Sequence, residues 1–271
     1  MKLKRYENAI PDIDSTLLCG DEYTFSVLSR IISGKCVLTV TDGERFIACH
    51  SAPPYPVWVW TPNDATAEEM EAVYQVLRED FDLEKNDFNM KHALADFLIK
   101  RAEEDNISLS VTMNMLAYSC EQTVAPKRRP SGKMRAAEED DLETATDLLA
   151  AFHREQNMEP SDRESCRQKA KELIAAKRLF LWVDGGEAVA CCSYREADGK
   201  GSIGTVYTKA ECRRRGYAAE LVCEVTEMIL GMGKTPVLYT DGDYAASNAA
   251  YASIGYQIRG SLCTISANKQ R

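Results

Sequence analysis

Two short apolar runs, residues 179–183 and 188–194, are separated by Asp184-Gly185-Gly186. Runs of that length around a Gly-rich turn predict a β-hairpin. Residues 202–206 and 236–240 predict two more strands, and residues 219–229 between them repeat apolar positions at helical spacing. Upstream, residues 142–155 place Leu142, Ala145, Leu149 and Phe152 on one helical stripe behind the carboxylates of residues 138–141, which suit a helix start. A second helix is expected from Ser161, with Glu164 completing a capping box and Cys166, Ala170, Leu173 and Ile174 on one side. A short strand at residues 133–137 precedes both, and a helix over residues 245–254, ended by Gly255, closes the series.

The first half repeats part of this order. Residues 35–50 read strand, Asp42-Gly43 turn, strand, followed by a strand at 57–61 and a helix at 67–78. A helix over 88–104, with Leu94, Phe97, Leu98 and Ala102 on its apolar side, and a long alternating strand over 107–118 complete it. Trp58 and Trp60 share a strand face, where they either line an acceptor cleft or fill the core. Between the halves, residues 126–132 combine two prolines, a glycine and a charge cluster, which marks a linker. The expected organisation is therefore residues 1–125, a linker at 126–132, and residues 133–271.

Composition narrows the class. Hydrophobic residues make up 45% and charged residues 28% of 271, and no apolar stretch approaches the ~18 residues of a membrane span. The charged start of the chain lacks the apolar core of a signal peptide. Ten cysteines without a Cys-x-x-Cys pair suit a reducing interior, and three histidines without paired spacing give no metal site. A cytoplasmic protein without membrane or nucleic-acid partners is expected, the net charge of -9 opposing the latter.

One stretch departs from that charge. Residues 209–215 carry Lys209, Arg213, Arg214 and Arg215 against the single acid Glu211, and lead through Gly216, Tyr217 and Ala218 into the helical run. A helix start has unpartnered N–H groups and the positive end of the peptide dipoles, so it accepts anions. Gly216 allows close backbone approach, and the arginines add donors. Downstream, Asn248 and Tyr251 stand three apart on one helix face. Tyrosine, with a reference pKa of about 10 against about 8.5 for a thiol, can donate a proton to a departing thiolate at neutral pH.

The spacing Arg213-x-x-Gly216-x-Ala218 resembles the diphosphate loop of the GNAT superfamily of acyl-CoA-dependent N-acyltransferases. Tyr239-Thr240-Asp241, followed by Ser247-Asn248-x-x-Tyr251-x-x-Ile254-Gly255-Tyr256, is similar to the closing motif of the same enzymes. The resemblance implies the GNAT fold, a mixed, mostly antiparallel twisted α/β sheet flanked by helices, with acetyl-CoA as co-substrate and an amine, small molecule or peptide, as acceptor. It implies Arg213, Arg214, Arg215, Gly216, Tyr217 and Ala218 at the diphosphate, Val206, Tyr207 and Thr208 along the pantetheine, and Asn248 as a further cofactor contact. A bulge in the preceding strand would leave residues 205–208 presenting backbone groups, with an amide near Val206 polarising the thioester. Tyr251 is the general-acid candidate.

The strand at 202–206 has no carboxylate, so the general base stays open among Glu155, His153 and Asp241. The first half resembles a degenerate GNAT-like domain, because residues 62–69 contain no arginine and no glycine but three acids. The acceptor would meet residues 155–160, which carry no pattern that selects one amine, and the oligomeric state is equally open. A non-catalytic acyl-CoA sensor on the same fold is the alternative, and a site for another phosphate compound is a third.

Overall fold

The computed structural model describes residues 2–127, 129–156 and 162–268. They form two compact units. The first comprises Met1–Ala117, Thr240–Tyr244 and Ile258–Arg271, and the second Tyr118–Tyr239 and Ala245–Gln257. The sequence reading kept residues 133–271 together, whereas here the final segment counts with the first unit.

In chain order the first part runs β1 (Lys4–Ala9), α1 (Ser26–Ile32), β2 (Cys36–Thr41), β3 (Ile47–His50), β4 (Val57–Trp60), α2 (Ala67–Asp80), β5 (Phe88–Met90), α3 (His92–Glu104) and β6 (Leu109–Ser119). It continues with β7 (Lys133–Ala136), α4 (Leu142–Glu155), α5 (Arg163–Ala175), β8 (Leu179–Asp184), β9 (Glu187–Ala197) and β10 (Lys200–Thr208). The remainder is α6 (Tyr217–Gly231), β11 (Thr235–Asp241), α7 (Ala245–Ser253) and β12 (Gln257–Ala267).

Within the first unit, β2 pairs antiparallel with β3 and β3 with β4, while β4 and β5 are parallel. The second unit repeats the series, with β8–β9 and β9–β10 antiparallel and β10–β11 parallel. Both halves therefore use one strand program, as the sequence echo implies. β12 follows the second unit's last helix and yet pairs with β5, Cys263 opposite Met90 and Ile265 opposite Phe88. All four side chains are fully buried, so the chain's final strand completes the first core.

That pairing corrects one expectation. Residues 88–90 are strand, not the start of a helix, because Phe88, Asn89 and Met90 are held between β4 and β12. Helix propensity yields to a ladder with both faces buried. Trp58 and Trp60 resolve as core, the first edge-on to Phe25 and the second donating from Nε1 to Asp21 at 2.9 Å. The expected cap at Ser161 lies outside the described residues, and Asp162 caps α5 by accepting from the Ser165 amide.

In the second unit α4 and α5 cover one sheet face through Ala145, Leu148, Leu149, Cys166, Ala170 and Leu173 against Leu179, Leu181 and Cys191. Each such leucine contributes about 1.5–3 kcal/mol by leaving water. Gly132 ends the linker at φ +94, where a Cβ would collide with the Val183 carbonyl. Only glycine serves there.

One buried group makes the first unit's stability depend on pH. His50 is 8% exposed, with Nε2 hydrogen-bonded to nothing among the described residues. Burial lowers its pKa, against the opposing effect of backbone hydrogen bonds at Tyr55 and Ala52. The unfolded chain therefore takes up the proton first, so stability falls once the pH drops below the ordinary imidazole value of about 6.5. The acids titrate only near pH 4 and below in the unfolded chain. A denaturant midpoint lower at pH 5.5 than at pH 7.5 is expected, with the difference reduced in His50→Gln.

Candidate functional site

The second unit's site begins with a break in β10. Gly204 opposes Ser193 and Tyr207 opposes Cys191, so Thr205 and Val206 together face Cys192 in a β-bulge. Thr205 sits at φ +46. A β-branched residue there is strained by roughly 1–3 kcal/mol. The carbonyl of Gly204 accepts from Ser193 Oγ at 3.0 Å, and that of Thr205 lies 3.7 Å from Cys191 Sγ. In a trans peptide the following N–H points opposite to the carbonyl, so the Thr205 and Val206 amides are both directed away from β9. A regular strand would alternate them. On that other side, β10 and β11 are in parallel register over Lys200–Ser202 with Thr235–Val237, before the bulge is reached.

β10 runs into a single 3₁₀ turn, Ala210–Cys212, then Arg213, Arg214, Arg215 and the N-cap Gly216. Gly216 has φ +91 and brings no side-chain cap to α6, which leaves the first-turn amides for another acceptor. Arg214, at φ +62, and Arg215 are exposed. Beside this turn, the Thr208 hydroxyl is buried and has no hydrogen-bond partner among the described residues. An orphaned hydroxyl, an uncapped fifteen-residue helix and a basic turn suit a phosphorylated ligand with a polar arm.

Arg215 gives Nη2 to the Glu211 carbonyl at 3.4 Å, and the side chains of Arg213 and Tyr217 are committed more closely. Arg213 gives Nη2 to both Glu155 oxygens at 2.6 and 2.7 Å and Nε to the Thr208 carbonyl, with its guanidinium 5.4 Å from the Tyr207 ring centroid. Burial, then Glu155, raises the Tyr207 phenol above its ordinary range. Tyr217 is buried and its hydroxyl donates to Asp184, which also accepts from Ser131. Its backbone stays in the first helical turn, while Ala218 follows half-buried.

From α7, Asn248 Oδ1 accepts from Tyr118 at 3.5 Å. Tyr251 is half-buried between the rings of Tyr118 and Tyr256, at centroid distances of 6.4 and 6.0 Å. The Tyr256 hydroxyl is tied to Thr226 of α6 at 2.8 Å. Burial pushes the Tyr251 phenol well above the usual value, and Cys192 and Tyr118 add to the shift. Cys192, the residue facing the bulge, is close enough to the Tyr251 phenol to act on it electrostatically.

Residues 182–264 match the model of the FR47-like family. No curated protein matches the chain by sequence. Among solved structures, a GCN5-related N-acetyltransferase from Sphaerobacter thermophilus superposes with a TM-score of 0.66 at 16% identity, over 98% of this chain and 95% of that one. One from Kribbella flavida gives 0.63 at 14% identity, over 94% and 96%. A GNAT-family acetyltransferase from Colwellia psychrerythraea gives 0.58 at 16% identity, over 99% and 100%. The fold is that of the GNAT superfamily.

The two units share one strand series, and they treat the helix start after its third strand differently. In the first, Thr66 accepts from the Glu69 amide at 3.2 Å and Glu69 from the Thr66 amide at 2.7 Å, which closes a capping box. Arg45, by hydrogen bonding, and the Thr66 amide hold Glu69 down at about 2. The chain's own carboxylate thus occupies the anion position of α2. Lys91 extends between the strand ends, bonded to Asp21 at 2.5 Å, Asn63 at 2.7 Å and the Thr61 carbonyl at 3.1 Å. Nothing comparable caps α6 at Gly216.

Of the base candidates, Glu155 has both oxygens engaged by Arg213, His153 contacts the Phe152 ring, and Asp241 belongs to the first unit. Among the described residues no group of three His, Cys, Asp or Glu could hold a metal, and no helix is long and apolar enough to cross a membrane. Ser193 and Tyr118 are site residues that the motif reading passed over. Ser193, a polar residue inside the apolar run 188–194, carried the only signal.

Proposed function

We propose that the second unit binds an acyl-CoA, acetyl-CoA foremost, and transfers its acyl group to an amine. The observation that carries this reading is the bulge with two amides turned the same way, next to an uncapped helix start and within reach of Tyr251. The α6 amides, Arg214 and Arg215 would hold the diphosphate, and the Thr208 hydroxyl a polar group of the pantetheine arm. The Thr205 and Val206 amides would take the thioester oxygen as it gains charge, a preorganised arrangement that costs no rearrangement during reaction. The neutral amine attacks the carbonyl carbon, the C–N bond forms, and the C–S bond breaks with its electron pair on sulfur. Tyr251 gives its proton to that sulfur and regains one from solvent, which also takes the extra proton of the amine.

Arg213 plays a different part from its neighbours in this reading. Its pair with Glu155 fixes the turn, and the phosphate contact falls to the backbone and to Arg214 and Arg215. A binding-only sensor is the second reading, favoured by a β10 without carboxylate and by the engagement of Glu155. Release of free thiol from acetyl-CoA in the presence of a panel of polyamines, aminoglycosides, amino acids and peptides separates the two. Acceptor-dependent release supports transfer, and tight CoA binding with no release on any amine supports the sensor.

A further inference from the structure

We infer that Ser193, seconded by Cys191, is a positioning residue that holds the Thr205 and Val206 amides as a matched pair of donors. The inference rests on the acyl-transfer reading above and adds residues that no motif marks. A bulge disrupts the ladder around its extra residue, and the carbonyls of Gly204 and Thr205 stand where that disruption begins. Here both are taken from β9, the Gly204 carbonyl by the Ser193 hydroxyl and the Thr205 carbonyl by the Cys191 thiol. Ser193 is 6% exposed and Cys191 fully buried, so water does not compete for either bond. Burial also pushes the Cys191 thiol up to about 12, which keeps its proton available for donation.

The strain at Thr205 gives the clasp its purpose. At φ +46 a threonine is unstable on its own, and a free bulge would relax toward the β region, turning one amide back into the ladder. Fixing the two carbonyls from the β9 side blocks that rotation, since each amide is rigidly coupled to the carbonyl before it.

Ser193→Ala is expected to lower kcat by about tenfold to a hundredfold, the range for a misplaced reacting geometry. Its Kd for CoA should stay within about twofold, because the diphosphate contacts are remote from the bulge. Ser193→Thr keeps the hydroxyl and should recover most of kcat. The infrared band of the ¹³C-labelled thioester carbonyl of bound acetyl-CoA gives a direct readout. In wild type it should lie below its solution frequency, in Ser193→Ala near it, and in Ser193→Thr low again. Unchanged kcat and carbonyl band in Ser193→Ala, or a threonine variant as impaired as the alanine one, would overturn the clasp. Wild-type protein that shows no thioester turnover would overturn the acyl-transfer reading and the clasp together.

Discussion

Tyr251→Phe is expected to lower kcat by about 10²–10³, the range for losing a positioned proton donor, and to leave the Kd for CoA within about twofold. The phenyl ring keeps the packing with Tyr118 and Tyr256, so the fold should be unaffected and melting nearly unchanged. Only the hydroxyl is lost, the group on which Cys192, facing the bulge, acts electrostatically. Because burial holds the phenol above its ordinary value of about 10, it stays protonated throughout the neutral and mildly alkaline range. Its role is then to hold a proton ready for the developing thiolate. The consequence for wild type is a kcat that does not decline on the alkaline side up to about pH 10 on account of Tyr251. Full turnover in the phenylalanine variant would remove this tyrosine from the chemistry.

Gly216→Val should weaken CoA binding by at least about tenfold. Its φ of +91 is open to glycine and costs a β-branched residue several kcal/mol, so the variant must rotate the residue that opens α6. Rotation redirects the first-turn amides that would meet the diphosphate. Calorimetric titration with CoA measures the change. Gly216→Ala should fall between the two, which separates a local backbone effect from loss of folding. Binding unchanged in the valine variant would place the diphosphate elsewhere.

Much of the second unit was legible because its signals are local. The Asp184-Gly185-Gly186 turn set the hairpin, the stripe Leu142, Ala145 and Leu149 set α4, and Gly216 before an apolar helix set the anion end. The strand at 88–90 was hidden because it depends on β12, far away in the chain, and three residues carry no periodicity of their own. Arg213 shows the same limit within the site. Its place in the motif suggested a phosphate ligand, and its partner, Glu155, is 58 residues distant. Ser193 and Tyr118 act through contacts across strands and helices, which spacing does not encode. The lack of arginine and glycine in residues 62–69 was legible as well, and the structure adds that Glu69 caps the start of α2 from within.

The proposed function requires one acyl-CoA site, at the start of α6, in a chain that repeats its strand series. Calorimetric titration of the full-length protein with CoA tests it most directly. One mole of CoA bound per mole of chain, undiminished by excess ATP or ADP, is the predicted result. Two moles per chain, no binding, or ready displacement by the nucleotides would contradict it.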